Sequence, residues 1–376
     1  MNITIVGAGN VGTQFAVHCA ENGHKVTIYG SKPEKINREL TIINENDEVI
    51  HRGTIAKATN SEEEAFSNAD LIFVTMPATL MKYNAAKIEP FARPSMKICI
   101  APGTGGGECV FRGCIEKGAT VFGVQRVPSV ARLVEYGKTV RAVGYRGEMF
   151  VAALPNSETA ECSKLIESIL DIKTSPLPNY LNITLTPSNP ILHTTRLRNL
   201  YGDYHEGVVY DSVPLFYEDW NNKTSELLLA CDDEVQRLCR ALTQFDLSYV
   251  KSLRVHYESP TADAMTKKIS SIAGFKGLTS PTVKVEGGYI PDFNSRYFTA
   301  DFSYGLAILM QIAEFVGIDA PNMRETLDWY YGLVGKRDEY RLPSLSACSV
   351  LSLSSRYSAI KRLASSSNTD AASKTE

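Results

Sequence analysis

The chain has 376 residues, a length that suits two domains better than one core. Hydrophobic residues make up 44% and charged residues 22%, which is typical of a folded globular protein and excludes a largely disordered one. The 39 Lys and Arg residues nearly balance the 42 Asp and Glu residues. This balance argues against nucleic-acid binding, which needs a surplus of cations, but leaves room for small anionic ligands.

Membrane and metal sites are not indicated by the sequence. No apolar run approaches the ~20 residues of a membrane span. The first residues also lack the pattern of a signal peptide, which is a basic segment followed by an apolar stretch. The eight cysteines form no CxxC pair and have no zinc-site spacing. We therefore expect a cytoplasmic protein with no membrane partner and no metal site.

The first half of the chain alternates strand-like and helix-like segments. The predicted strands are 2–6, 25–29, 71–76, 97–101 and 119–124. The predicted helices are 11–22, 61–67, 78–91, 107–117 and 158–170. Such alternation implies a parallel sheet covered on both faces. Segments 138–144 and 148–154 are expected to form a hairpin-type appendage.

A glycine-rich turn lies between the first predicted strand and the first predicted helix. Residues 7–12, Gly-Ala-Gly-Asn-Val-Gly, match GxGxxG in the position that a dinucleotide-binding βαβ unit requires. Gly7 permits the tight turn, Gly9 lets the backbone approach a pyrophosphate, and Gly12 allows close packing of helix on strand. The pyrophosphate would then lie at the helix N-terminus, where free N–H groups and the helix dipole favour an anion.

The end of the second predicted strand distinguishes the two nicotinamide cofactors. An NAD enzyme usually has Asp or Glu there to accept hydrogen bonds from the ribose hydroxyls. This chain has Gly30, followed by Ser31 and Lys32, which could bind a 2′-phosphate. We therefore expect NADP(H) to be favoured over NAD(H). Lys32 and Lys35 could instead be solvated charges at a helix entry.

Two further strand ends are expected to face the cofactor, because ligands of parallel sheets bind at the carboxyl ends of the strands. One follows Thr75, and the other is the glycine-rich segment 101–107, whose glycines would expose backbone N–H groups. Either segment could instead be an ordinary turn that contacts no ligand. The residues predicted to contact the cofactor are Gly7, Gly9, Asn10, Val11, Gly12, Ser31, Lys32, Met76, Pro77 and Gly103.

The character of the chain changes where prolines cluster at 175–190. Helical periodicity then dominates in the segments 188–200, 218–243, 245–256, 260–273 and 301–316, with a Gly-rich irregular stretch at 285–300. We predict a dinucleotide-binding domain over 1–180 and a helical substrate domain over 181–345. The Ser-, Ala- and Lys-rich segment 346–376 is expected to be a partly disordered extension.

Chemistry-bearing residues occur at two places in the helical half. Asn189, Pro190 and His193 open the predicted domain, and Arg296 and Asp301 end the Gly-rich stretch. A lone histidine is more often structural than catalytic. Here a histidine and an aspartate flank the interdomain region expected to meet the nicotinamide, which favours an active site.

With these motifs the chain resembles the opine dehydrogenase family, which includes octopine and nopaline dehydrogenases. The resemblance covers most of the chain and rests on the GxGxxG turn, the Pro-Gly-Thr-Gly-Gly strand end, the Asn-Pro…His segment, and the Arg-Tyr…Asp-Phe-Ser-Tyr-Gly-Leu segment. It implies an N-terminal Rossmann-type α/β domain followed by an all-α domain of the 6-phosphogluconate dehydrogenase C-terminal type. It also implies reductive condensation of an amino acid amine with a 2-oxo acid.

The resemblance further implies a role for each matching residue. His193 corresponds to the family's catalytic histidine, Asp301 to the aspartate paired with it, and Arg296 to the arginine that holds a substrate carboxylate. Asn189 is expected to bind substrate as part of the same segment. We expect NAD(P)(H) and the two small-molecule substrates as the ligands, and either a homodimer or a monomer.

Several alternatives stay open. Arg196 or Arg198 could add a second carboxylate contact, and His205 is a competing acid or base. A ketopantoate-reductase-like or glycerol-3-phosphate-dehydrogenase-like ketone reductase would need a catalytic lysine, for which Lys267 and Lys268 are available. A non-catalytic NADP(H)-binding regulator would bind the cofactor without turnover and would be indifferent to substitution of Asp301.

Overall fold

A computed structural model describes residues 1–187 and 189–335, and the predicted extension at 346–376 lies outside them. The chain separates into two compact units, one formed by Met1–Thr184 and one that begins at Leu185. Within the described residues, no helix is both long and apolar enough to cross a membrane.

The first unit combines strands and helices in alternation. Its strands are β1 (Asn2–Val6), β2 (Lys25–Tyr29), β3 (Glu39–Ile43), β4 (Val49–Thr54), β5 (Lys57–Thr59), β6 (Leu71–Val74), β7 (Lys97–Ile100), β8 (Thr120–Val124), β9 (Val130–Glu135), β10 (Thr139–Val143), β11 (Met149–Leu154) and β12 (Thr174–Pro176). Its α-helices are α1 (Asn10–Glu21), α2 (Glu62–Phe66), α3 (Met81–Ile88), α4 (Gly107–Val110), α5 (Arg112–Glu116), α6 (Thr159–Leu170) and α7 (Leu181–Thr184). Single 3-10 turns occupy Pro33–Lys35, Ala78–Leu80, Glu89–Phe91 and Asn156–Glu158.

The main sheet has eight strands in the order β12-β11-β8-β7-β6-β1-β2-β5. Six neighbouring strands of this sheet are mutually parallel, in the order β8-β7-β6-β1-β2-β5. Strand β11 pairs with β8 in the antiparallel sense. In β6, Leu71 and Phe73 are buried on one face of the sheet while Ile72 and Val74 are buried on the other. Both faces are thus covered, which confirms the predicted Rossmann-type parallel sheet.

A second sheet of four strands, in the order β4-β3-β10-β9, corrects the predicted hairpin of 138–144 with 148–154. Strand β10 pairs with β9 and β3, whereas β11 enters the main sheet. Burial explains the difference. Strand β10 is buried at alternate residues, as suits a sheet with one covered face, while β11 is apolar and largely buried along its length.

Helix α1 lies between the two sheets. Strand β4 approaches it closely at Gly53, where a Cβ atom would lie 2.7 Å from the carbonyl oxygen of Val17. Residues 12–19 of the helix are consequently all buried. A helix covered on all sides needs no polar face, which is why its sequence shows only weak amphipathic patterning.

The second unit is mainly helical, as predicted. Its α-helices are α8 (Asn189–Tyr201), α9 (Asn222–Ala241), α10 (Leu253–His256), α11 (Ala262–Ser271), α12 (Arg296–Thr299), α13 (Ala307–Val316) and α14 (Pro321–Val334). A 3-10 turn occupies Ala273–Phe275, and a π-helical turn occupies Phe302–Leu306.

Two segments of this unit differ from the expectation. The predicted helix at 245–256 is helical only in α10, which begins after Ser252 because that side chain caps the free N–H of Val255. The Gly-rich stretch at 285–300 contains part of a hairpin, β13 (Thr282–Val285) with β14 (Gly288–Pro291). The turn between these strands uses Gly287 in the left-handed region, at φ +82°.

Candidate active site

The glycine turn has the stereochemistry that a dinucleotide site requires. Gly7 has φ +102°, and a Cβ atom on Gly12 would lie 1.9 Å from the carbonyl oxygen of Gly7. These two positions therefore exclude any side chain. Gly9 is the N-cap of α1, and a Cβ atom there would meet nothing within 4 Å. An open space thus lies over the helix N-terminus, and the turn fits a pyrophosphate.

Asn10 and Val11 are held by packing within the first unit. The Asn10 Oδ1 atom accepts a hydrogen bond of 2.8 Å from the N–H of Leu133 in β9. Val11 is half-buried against the hydrophobic core. Contact between these residues and a cofactor would therefore come from the backbone, while their side chains fix the start of α1.

The end of β2 carries the two residues predicted to bind a 2′-phosphate. Ser31 and Lys32 are both exposed, and Lys32 leads into the turn Pro33–Lys35. A nearby carboxylate, Glu62, is neutralised by an ion pair of 2.8 Å with Lys87, whose amine also donates to the hydroxyl of Tyr29 at 2.7 Å. The two residues Ser31 and Lys32 therefore present a hydroxyl and an amine to solvent, with the exposed carboxylate of Glu34 in the following turn.

Met76 and Pro77 follow β6 and lie beside the glycine turn. A Cβ atom on Gly7 would lie 2.5 Å from the Met76 sulfur, so the two strand ends are in direct contact. Pro77 is exposed at the start of the next turn. The carboxyl end of β6 thus lies where a ligand of the glycine turn would be.

Gly103 departs from the expectation of a free backbone donor. Its N–H donates to the carbonyl oxygen of Val124 at 2.8 Å, and its carbonyl accepts from the Tyr180 hydroxyl at 3.2 Å. A Cβ atom there would lie 2.9 Å from the Cα atom of Gly123. Close packing between neighbouring strand ends therefore accounts for this glycine, and its N–H is not available to a ligand.

His193 is the centre of a buried polar group in the second unit. Its Nδ1 atom lies 2.7 Å from Oδ2 of Asp301, and its Nε2 atom lies 2.8 Å from the hydroxyl of Tyr217. Because a carboxylate can only accept, Nδ1 carries the proton and donates to Asp301. When Nε2 carries no proton, it accepts from the Tyr217 hydroxyl.

The segment that carries Asp301 is placed by an unusual helical turn. Asp301 precedes the π-helical turn Phe302–Leu306, in which the N–H of Leu306 bonds to the carbonyl of Asp301. Gly305 in this turn packs on Pro190, where a Cβ atom would lie 2.8 Å from the proline Cβ. Pro190 precedes His193 on α8, so this contact draws the two functional segments together. Such π turns occur frequently at functional sites.

Tyr217 is a site residue that the sequence analysis missed. It lies in the loop between α8 and α9 and is stacked on Phe275, with ring centroids 4.1 Å apart. Burial raises the pKa of the Tyr217 phenol, so the hydroxyl stays protonated and can donate. Tyr297 packs against the His193 ring at a centroid distance of 4.6 Å. Tyrosines are common in this sequence, and no local pattern distinguishes Tyr217 from the others.

Arg296 lies at the start of α12 and is exposed. Its guanidinium carbon lies 5.9 Å from the ring centroid of Tyr297, and its charge acts on Tyr217. Within residues 1–187 and 189–335 it forms no ion pair, so the alternative of a surface ion-pair residue is not supported there. Asn189, the other predicted substrate ligand, is the exposed first residue of α8.

Arg196 and Arg198 have structural partners instead of facing a substrate. Arg196 is buried and donates to the carbonyl oxygens of Phe216 at 2.8 Å and Leu215 at 3.2 Å. It therefore holds the loop that carries Tyr217. Arg198 pairs with Glu325 at 3.0 Å.

The other alternative residues lie at the surface, Lys268 being half-buried. Lys267 has a side chain 76% exposed and pairs with Asp263, and Lys268 pairs with Glu258. His205 is exposed and its Nδ1 atom contacts the carbonyl of Glu206. None of the three has the buried, oriented surroundings of His193.

The chain is similar to known proteins in both of its units. Residues 176–334 match the family model described as NAD/NADP octopine/nopaline dehydrogenase, alpha-helical domain. Residues 2–106 match the N-terminus of NAD-dependent glycerol-3-phosphate dehydrogenase. Together with the relatives described next, these matches support the opine dehydrogenase family for this chain. This family consists of NAD(P)-dependent oxidoreductases that act on CH–NH groups.

Individual members of the opine dehydrogenase family align over nearly the whole chain. Tauropine dehydrogenase of Arabella iricolor is 27% identical over 89% of this chain and 91% of its own length. Octopine dehydrogenase of Mizuhopecten yessoensis is 25% identical over 89% of this chain and 90% of its own. A solved octopine dehydrogenase with NADH and L-arginine shares the fold, with a TM-score of 0.79, 21% identity and coverage of 93% and 94%.

Proposed function

We propose that this protein is an NAD(P)H-dependent opine dehydrogenase that condenses the amino group of an amino acid with a 2-oxo acid and reduces the imine. The observation that carries the proposal is the buried chain of hydrogen bonds from Asp301 through His193 to Tyr217. The glycine turn at the N-terminus of α1 supports the cofactor part of the proposal.

His193 supplies the proton transfers that imine formation needs. Its neutral ring takes a proton from the substrate ammonium, and the freed amine attacks the carbonyl carbon of the oxo acid. The resulting carbinolamine loses its hydroxyl as water when the imidazolium returns that proton. Asp301 fixes the tautomer of the ring and stabilises the imidazolium, as carboxylates do in other His–Asp pairs.

Tyr217 lies on the proton path in this proposal. Its hydroxyl occupies the Nε2 atom of His193, the nitrogen not bound to Asp301. A proton leaving Nε2 passes to the phenol oxygen while the phenol proton moves on to the substrate, so the relay leaves Tyr217 unchanged. The phenol stays neutral throughout, because burial raises its pKa.

Arg296 binds a substrate carboxylate. A guanidinium grips a carboxylate through two parallel hydrogen bonds, which fixes the orientation of the prochiral carbon. Arg296 has no ion-pair partner among the described residues, so its charge is available to an incoming anion. Asn189 adds an exposed amide at the start of the helix that carries His193.

The cofactor is NADP(H) in preference to NAD(H). When bound, it supplies the hydride that reduces the imine carbon. Gly7, Gly9 and Gly12 shape the site for its pyrophosphate, with Met76 and Pro77 at the adjoining strand end. Ser31 and Lys32 bind the 2′-phosphate, since position 30 at the end of β2 is a glycine and not an acid that would repel it.

The test is NADPH oxidation followed at its absorbance, with pyruvate or another 2-oxo acid and a panel of amino acids including taurine and arginine. We expect oxidation that depends on both substrates and a secondary amine as product, identified by mass spectrometry. Oxidation that needs the oxo acid alone would point to a ketone reductase. No amine-dependent turnover across the panel, with either cofactor, contradicts the proposal.

A further inference from the structure

A second cluster of ligand-type side chains lies in the first unit. His18 and Glu21 are in the last turns of α1, and His51 is on β4. The Nδ1 atom of His51 lies 2.7 Å from Oε2 of Glu21. One ligand atom from each of the three residues lies within 4.8 Å of the other two.

The packing of β4 on α1 brings these residues together. His18 and Glu21 are three positions apart, so they share one face of the helix. Gly53 lets β4 lie directly on that helix, as its missing side chain leaves room for the Val17 carbonyl. His51 is two residues before Gly53 and therefore points from the same face of the strand. The cluster is thus held by rigid elements.

The His18 ring is held in place by two neighbouring side chains. The Tyr145 hydroxyl lies 3.2 Å from its Nε2 atom, and the His51 ring lies at a centroid distance of 4.6 Å. The ring therefore lies beside a second imidazole and a carboxylate, with ligand atoms of all three within 4.8 Å of one another.

We propose that His18, Glu21 and His51 bind one zinc ion. Two imidazole nitrogens and one carboxylate oxygen form a ligand set that suits Zn²⁺, with water as a fourth ligand. The ligand atoms need to move by only about 1 Å to reach a tetrahedral arrangement, for which metal–ligand distances are ~2.0–2.2 Å.

Zinc at this position would join the end of α1 to β4 and stabilise the first unit. The cysteine spacing does not indicate this site, because its ligands are two histidines and a glutamate. The sequence pattern does not indicate it either, because the three ligands come from two elements that meet only in the folded chain. The proposal is independent of the dehydrogenase activity, since none of the three residues belongs to the glycine turn or to the His193 group.

The test is zinc binding to the untagged full chain after removal of metal with a chelator. Titration calorimetry in the His193→Ala background excludes binding at the dehydrogenase site, and thermal unfolding reports stabilisation. We expect one Zn²⁺ per chain and a rise in the unfolding temperature with zinc, since a ligand that binds only the folded state stabilises it. Co²⁺ used in place of zinc should show the visible absorption of a tetrahedral site.

The exposed Glu21 and the half-buried His51 give the decisive variants, because replacing the buried His18 could disturb folding. His51→Gln and Glu21→Gln should each weaken zinc binding, the former by more than ~100-fold, since even loss of an outer-shell partner costs about 10–100-fold. His24→Gln, at a histidine outside the cluster, is the matched control and should bind zinc as the parent does. Equal binding by His51→Gln and the control, or no zinc-dependent rise in unfolding temperature, overturns the proposal.

Discussion

Nδ1 of His193 lies 2.7 Å from Oδ2 of Asp301, although 108 residues separate the two in the chain. The side chains are 6% and 17% exposed, so the pair lies out of bulk water. A carboxylate in such surroundings stabilises an imidazolium more strongly than it would in water. The relationship gives His193 a fixed tautomer and leaves Nε2 to exchange protons.

Removal of either member of this pair should abolish most of the dehydrogenase activity. We expect His193→Ala and Asp301→Ala each to lower kcat by a factor on the order of 10²–10⁴, the range for lost acid–base catalysis. Steady-state kinetics with NADPH, an oxo acid and an amino acid measure the change.

Lys267→Ala is the control for this prediction. Its amine is exposed and paired with Asp263, so kcat should stay near the parent value. A ketone reductase dependent on lysine would give the reverse result, with a large loss in Lys267→Ala or Lys268→Ala and little in His193→Ala.

Arg296→Ala should mainly weaken the binding of one carboxylate substrate. A charge-assisted hydrogen bond contributes ~1.5–3 kcal/mol, so we expect the KM of that substrate to rise about tenfold or more. Arg198→Ala is the control, because Arg198 pairs with Glu325 and should leave both Michaelis constants unchanged. Intact Michaelis constants in Arg296→Ala would refute the assignment.

Tyr217→Phe should slow turnover while leaving His193 in place. Loss of the hydroxyl breaks the proposed relay but leaves the ring packed on Phe275, so kcat should fall by about 10–100-fold, less than in His193→Ala. The pH profile of kcat should also change, which a purely structural role would not produce. If kcat and its pH profile were both the same as in the parent, Tyr217 would have no part in the proton transfer.

Arg196→Met tests the support of the loop that carries Tyr217. The substitution leaves the carbonyls of Leu215 and Phe216 without their donor, which should cost roughly 2 kcal/mol of unfolding free energy. Urea denaturation measures the loss. We also expect a lower kcat, since Tyr217 is no longer held in place. A kcat equal to that of the parent would show that the position of this loop does not affect catalysis.

Gly30→Asp should reverse the proposed preference for NADPH over NADH. A Cβ atom at Gly30 would lie 3.8 Å from the Ile36 Cδ1 atom, so there is room for the side chain. The new carboxylate would repel a 2′-phosphate and accept from ribose hydroxyls, shifting the ratio of kcat/KM for NADPH over NADH by about tenfold or more. Lys32→Ala should lower NADPH use and spare NADH. Equal loss with both cofactors would argue against a phosphate contact.

His18 should make the first unit less stable in mild acid. Its pKa is about 4 in the folded chain and 6.5 when solvated, so between these values only the unfolded state binds the proton. The contribution of unprotonated His18 to the free energy of unfolding is therefore fully present above pH 6.5. It is lost as the pH falls towards 4, by about 3 kcal/mol in total.

Urea denaturation of the parent and His18→Gln between pH 4.5 and 7, with chelator present, measures this effect. The variant should show a flatter dependence on pH in this window, and His205→Gln, at an exposed histidine, should follow the parent. Parallel curves for the parent and His18→Gln would show that another group titrates.

Local patterns sufficed for part of the fold and for several site residues. The GxGxxG turn was predictable because backbone sterics at Gly7 and Gly12 depend on the adjoining strand and helix. The parallel sheet followed from apolar runs such as β6, which is buried on both faces. The four-stranded sheet was not predictable, because its strands are short and pair across 98 residues, as at Thr41 with Thr139.

The sequence alone determined the dinucleotide-binding entry, the helical second half, and the identity of His193, Arg296 and Asp301 as chemistry-bearing residues. The tertiary structure decided what those residues contact. It placed Tyr217 on Nε2 of His193, turned Arg196 into a support for its loop, and brought His51 to the end of α1. The physical reason is that turns and periodic burial are set by neighbours in the chain, whereas side-chain contacts between distant segments exist only once their elements pack.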